Sequence, residues 1–167
     1  KNIIYKFKMV FFHKTGKTYS WSSLKELAPY KIGATLGNFY SDEFSELANS
    51  KQLNIESAPS DELNIRKLAA GRIDLFPMEL EAGIFLINSM LPKNKINLIT
   101  FQKQAIWEVP TFLQISKKRK NAKELIDLFY KGYEQLYSSG RIQKIIDETR
   151  DAILKQQKIS DFTIKKY

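Results

Sequence analysis

Cysteine is absent from this chain of 167 residues, which excludes disulfides and thiolate metal sites and is compatible with either a cytosol or a periplasm. Histidine occurs once, as His13. A Ser-His-Asp triad would have to use it, and it sits in a polar stretch beside Lys14, where an exposed loop residue is expected. No HExxH, Walker or GxGxxG pattern occurs, so zinc-peptidase, P-loop and dinucleotide chemistry have no foothold. Long apolar runs are lacking too. The best stretch, Ala82 to Leu91, is too short to span a bilayer and stops at Pro92. The chain opens on Lys1 with no methionine and no signal peptide, so a mature, excised or truncated piece is expected. There is no internal repeat and no low-complexity segment.

Acidic residues are also missing from the first twenty positions, which carry five lysines. Residues 21–110 balance to −2, and residues 111–167 to +6, within a net charge of +9. The excess therefore lies in the two flanks and not in the middle. Only Lys117-Lys118-Arg119-Lys120 is dense, and a solvated turn before a helix explains it. With no recognition helix, zinc-finger spacing or RNA-binding aromatic motif beside it, a nucleic-acid partner is not expected.

What is present reads as alternating strands and helices, hence an α/β sheet of mostly parallel strands. Expected strands are Tyr5–Phe12, Lys31–Thr35, Leu53–Ser57, Asn97–Phe101 and Val109–Ile115. Expected helical segments are Leu24–Leu27, Ser41–Ala48, Leu80–Leu91, Leu125–Tyr137 and a second helix after Ser138-Ser139-Gly140, with a loosely held tail from Lys155 onward. The most informative run is Ser60–Glu79, SDELNIRKLAAGRIDLFPME. Ser60 or Asp61 can cap a helix, with Leu63, Ile65 and Leu68 on its apolar side. Gly71 suits its C-terminus. Ile73, Leu75 and Phe76 make a short buried strand that Pro77 should end. Glu79 then stands at the strand's exit, the end at which ligands gather in open α/β sheets. Asp74 reads as structural, bonding backbone, and Arg66 as a surface cation.

In order, WSSLKELAPYKIGATLG, YSDEF and PSDELNIRKLAAGRIDLFPME resemble the bacterial extracellular solute-binding proteins of family 3, the polar-amino-acid type. The family's helix-leading "sLkdLkg", strand "kiGv" and glycine turn correspond to Trp21–Gly37. Its "laaGriDa" corresponds to Leu68–Asp74, with the family's acidic residue five positions on, at Glu79. SSGRIQKII is similar to its C-terminal "l..dGtyekI". The resemblance implies a periplasmic-binding-protein-like (type II) lobe with a mostly parallel sheet flanked by helices, plus remnants of the other lobe. It implies a crossing strand and connection over 1–20, a second ligand-binding lobe over 21–108, and a return strand with first-lobe helices over 109–167. Most of the first lobe has no counterpart in the chain.

The resemblance also implies a function. It is non-catalytic capture of a small polar solute such as an amino acid, for a membrane ABC permease, in the periplasm or another extracytoplasmic space. The alternative is a ligand-sensing domain of a membrane receptor or histidine kinase. No cofactor and no metal are implied. By position, Glu79 would accept the solute's ammonium, although the family more often has Asp there. The turn Gly37-Asn38-Phe39-Tyr40 at a helix N-terminus would hold the carboxylate through backbone amides. Family members often place threonines after the glycine, where this chain has Asn38 and Phe39, so the hydroxyl clamp is replaced by amides and the Asn38 side chain. Phe39 or Tyr40 would stack on the ligand or cover the turn. The family's carboxylate-pairing arginine belongs to the missing part. With that lobe missing, strand Tyr5–Phe12 and helix Leu125–Tyr137 are expected to expose apolar surface and to drive self-association.

Overall fold

The computed structural model describes residues 3–156. The chain divides into two compact units. One comprises Phe7–Val109, and the other Lys1–Lys6 with Pro110–Tyr167. The expected tail beyond residue 156 lies outside the described residues.

The first of these units carries a five-stranded mixed sheet in the order β3-β2-β4-β1-β5. The strands are β1 (Tyr5–Lys14), β2 (Lys31–Thr35), β3 (Asn54–Ala58), β4 (Leu75–Glu79) and β5 (Ile99–Thr111). β2 runs parallel to both β3 and β4, whereas β1 is antiparallel to β4. A short 3-10 turn (Leu24–Leu27) precedes β2. Helices α1 (Asp42–Asn49), α2 (Asp61–Ala69) and α3 (Leu80–Met90) follow β2, β3 and β4, and a single turn, α4 (Lys93–Ile96), leads into β5. Because β2, β3 and β4 are mutually parallel, the N-termini of α1, α2 and α3 all lie at one edge of the sheet. The core is built from both strands and helices: Phe11, Ile32 and Leu75 cluster with Trp21, Leu24, Leu27, Phe44 and Leu47, and Phe12, Phe76, Ile65, Leu68 and Ile84 are buried as well.

Local chemistry accounts for the motif around α2. The Ser60 hydroxyl accepts from the Leu63 amide, and Gly71 closes the helix at φ +72°, a left-handed backbone that disfavours other residues. Asp74 is structural as expected, since its carboxylate accepts from the Lys31 amide at 2.9 Å and so ties β4's entry to the start of β2. It also accepts from the Tyr19 hydroxyl. That phenol is pushed up to about 12 by burial first, and then by the Asp74 charge.

Several expectations are corrected by the ladder. Pro77 does not end the strand, because it pairs with Phe11 of β1 and β4 runs on to Glu79. In an antiparallel pair only alternate residues exchange N–H bonds, so a missing donor can be accommodated inside a strand. The expected strands at 97–101 and 109–115 are one continuous β5. On α2 it is Asn64 that is buried, at 0% exposure, while Leu63 faces solvent. The apolar surface expected on Tyr5–Phe12 is largely covered, since Val10, Phe11 and Phe12 are interior and Phe7 remains exposed.

His13 is the sharpest correction. It is no loop residue but the end of the β1 ladder, opposite Leu75, and is only 7% exposed. Its Nδ1 donates to the Lys14 carbonyl, and its ring meets Tyr19 edge-on at 5.4 Å. Burial, outweighing that bond, holds its pKa below the usual 6.5. A cationic group depressed in the folded state favours folding while neutral. Its contribution is full above the unfolded value and is lost as pH falls from about 6.5 toward the folded value. Thermal melting followed by circular dichroism should therefore show stability falling from pH 7 to 5, with a smaller fall in His13→Leu. Equal slopes in the two proteins would contradict this.

The other unit is built differently. It contains helices α5 (Ala122–Ser138) and α6 (Arg141–Gln156), joined at Gly140, and the segment before them. Within it the Tyr133 hydroxyl donates to the Ile4 carbonyl, and Thr111 bonds the Ile4 and Tyr5 backbone. None of its described residues is buried. Leu128, Leu136, Tyr137 and Ile145 are exposed, and apolar side chains of α5 and α6 line an open groove with Ile4 and Tyr5. The basic run 117–120 is an exposed turn before α5, as expected.

Candidate functional site

The carboxyl edge of the sheet collects most of the predicted site residues. β2 ends at Thr35, and the chain turns at once. The Asn38 amide donates to the Thr35 carbonyl, with Gly37 at φ +83° in the third position, where a residue bearing a Cβ would be strained. Thr35 is the hub of this turn. Its amide donates to the Tyr40 hydroxyl at 2.8 Å, and its own hydroxyl donates to Asp61 and accepts from the Asn64 side-chain amide. The Leu36 amide reaches the Ala58 carbonyl at the end of β3.

The turn is thus tied to β3, α2 and its own downstream residue. Tyr40 acts as a brace, with its ring against Phe44 at 5.0 Å and its hydroxyl engaged, and burial raises its pKa. What remains toward solvent are the amides of Gly37 and Phe39 and two large apolar groups, while the exposed Asn38 side chain also bonds the Tyr40 hydroxyl. Leu36 is 63% exposed and Phe39 72%.

Glu79 terminates β4 and is the N-cap of α3, accepting from the Ala82 amide at 2.6 Å. β2 and β4 are hydrogen-bonded neighbours with Ile32 opposite Leu75. β2 ends at Thr35 and β4 at Glu79, so the glycine turn and the carboxylate, 42 positions apart in sequence, lie at the same edge of the sheet on neighbouring parallel strands.

Sequence reasoning missed the supporting layer of Thr35, Asp61 and Asn64. Its signal was a polar Asn64 on the otherwise apolar side of α2. The edge is also acidic. Asp42 and Glu43 open α1, Asp61 and Glu62 open α2, and Glu81 follows Glu79 on α3. Such residues complement the positive helix ends. Among the described residues no group of three metal-ligating side chains is close enough to hold an ion, and no helix is long and apolar enough to cross a membrane.

No protein-family model matches the sequence, and no curated protein matches it. Solved structures do. An amino acid ABC transporter substrate-binding protein from Streptococcus pneumoniae, bound to L-arginine, is 19% identical with a TM-score of 0.62, over 91% of this chain and 60% of that one. The GluR0 ligand-binding core with L-glutamate is 11% identical with a TM-score of 0.63, over 87% and 61%. A histidine kinase sensor domain with similarity to periplasmic binding proteins is 17% identical with a TM-score of 0.57, over 86% and 58%. At these identities the likeness establishes the fold. The chain is an α/β protein with the periplasmic-binding-protein-like fold, spanning about 60% of the length of the structures it matches.

Proposed function

We propose that this chain contributes one wall of a solute-binding cleft, and that the solute is a small α-amino-acid-like molecule captured without chemical change. Glu79 accepts from the ammonium, and the free amides of Gly37 and Phe39, with the Asn38 side chain, receive the carboxylate. The observation that carries this is the placement of Glu79 and the Gly37 turn at the ends of two adjacent parallel strands. A carboxylate and free amides on neighbouring strands match the two ends of a zwitterion, the one accepting from its ammonium and the others donating to its carboxylate.

In this proposal the protein serves an ABC-type uptake system, working outside the cytoplasm with a membrane permease. The likeness to a histidine kinase sensor domain and to the GluR0 core favours a second reading, ligand sensing with the same cleft. A membrane-spanning helix in the same polypeptide would select sensing, and a permease encoded beside it would select transport. The uncovered apolar faces of α5 and α6 belong to the same proposal, with self-association through them.

One wall cannot enclose a ligand, so binding by this chain is expected at a Kd of about 1–10 mM. The test is a nitrogen-15 NMR titration of the chain with individual amino acids. Shifts should concentrate at Gly37–Phe39 and Glu79, and Glu79→Gln should weaken the response roughly tenfold by removing a charge-assisted bond. If no amino acid perturbs these residues, or if Glu79→Gln binds as well as the parent, the proposal fails.

A further inference from the structure

The exposed pair Leu36 and Phe39 has a bearing on which solute fits. We infer that these two side chains form the specificity wall of the site, and that the solute carries a large apolar side chain, aliphatic or aromatic. The inference rests on the amino-acid reading of Glu79 and the Gly37 turn, and it narrows that reading to a class of ligand.

Three observations carry it. First, Leu36 and Phe39 are among the most exposed large apolar side chains of the protein, lie within four residues of each other, and flank the turn proposed to hold the carboxylate. Second, they are not on a loose loop. The Thr35 carbonyl, the Tyr40 hydroxyl and the Ala58 carbonyl each take an amide of the segment, so the backbone beneath them is held by bonds to β3 and to Tyr40. A rigid apolar surface loses little conformational freedom on binding, which is the condition under which its burial converts into affinity. Third, Leu36 directly follows β2 and Glu79 ends β4, the neighbouring parallel strand, at the same edge of the sheet. An amino acid whose ammonium meets Glu79 and whose carboxylate meets the Gly37 turn therefore lies next to the residues that flank that turn, Leu36 and Phe39.

The remaining chemistry of the edge excludes one class of side chain. Asp42, Glu43, Asp61 and Glu62 crowd the starts of the two helices nearest the turn, which weighs against an acidic side chain.

The test compares L-leucine, L-phenylalanine, glycine, L-glutamate and L-arginine by nitrogen-15 NMR titration of the chain, with Leu36→Ser and Phe39→Ser as variants. Both positions are exposed, so the variants should fold. L-leucine or L-phenylalanine should bind about tenfold more tightly than glycine and more tightly than the two charged amino acids. In each variant the leucine-to-glycine ratio should fall toward one. Strongest binding of L-arginine or L-glutamate, or a ratio unchanged in both variants, overturns the inference while leaving the amino-acid site standing. Absence of any response to all five overturns both.

Discussion

Truncating Phe12 to alanine is expected to destabilise the chain by about 3–5 kcal/mol, read as a lower urea midpoint. Phe12 is 1% exposed on β1 and packs against Phe101 with ring centroids 5.8 Å apart. Its ring lies directly on the backbone of α3 at Gly83, so closely that a Cβ there would fall inside the ring's van der Waals envelope. The glycine is thus the socket for the ring. Removing the ring opens a cavity whose floor has no side chain to relax into it, which places the loss toward the upper end of the range. The converse change is also costly. Gly83→Ala gains about 1 kcal/mol of helix propensity but overpacks a filled site, for which about 1–3 kcal/mol is typical. The two changes should therefore be coupled, with Gly83→Ala less harmful in a Phe12→Leu background than alone. Strict additivity would show that ring and glycine do not meet.

Thr35→Val is expected to cost about 3 kcal/mol, although it is nearly isosteric. The Thr35 hydroxyl donates to the Asp61 carboxylate and accepts from the amide of Asn64. A bond to a charged group contributes about 1.5–3 kcal/mol, and leaving a buried donor unpaired costs a further 1–3. Asn64 is fully buried and its Oδ1 already has no protein partner among the described residues, so valine would strand the whole amide. Replacing both partners by apolar groups removes the stranded donor, and Thr35→Val with Asn64→Leu should recover part of the loss in urea denaturation. The turn itself should survive, because Thr35 holds Asn38 and Tyr40 through its backbone. A single variant as stable as the parent would mean that the polar cluster is dispensable.

The legible parts of this chain are those governed by neighbours in sequence. Ser60 as a cap, Gly71 as a stop, Ser41 before α1 and the bounds of β2 follow from local hydrogen bonding and backbone preference. Glu79 and the Gly37 turn could be picked out because each marks a strand-to-helix transition. The illegible parts are those decided by a partner far away. His13 looked like a loop residue because its sequence neighbours are polar, but β4 pairs with it and buries it. Pro77 looked like a stop because a proline lacks a donor, yet the ladder tolerates the gap. Asn64 stands out as polar on the apolar side of α2, but its role was fixed only when the sheet brought Thr35 beside it.

By itself the sequence determined that the chain is α/β, where its caps and turns lie, and which short segments could present a carboxylate or free amides, since these depend on contacts within a few residues. The tertiary structure alone decided that Glu79 and the Gly37 turn share one edge of the sheet, at the ends of neighbouring strands. That follows from the order β3-β2-β4, in which β4 lies against β2 and not against the strand that precedes it. No local preference encodes such an order. It is selected by burial of the strands between their helices, a property of the assembled sheet.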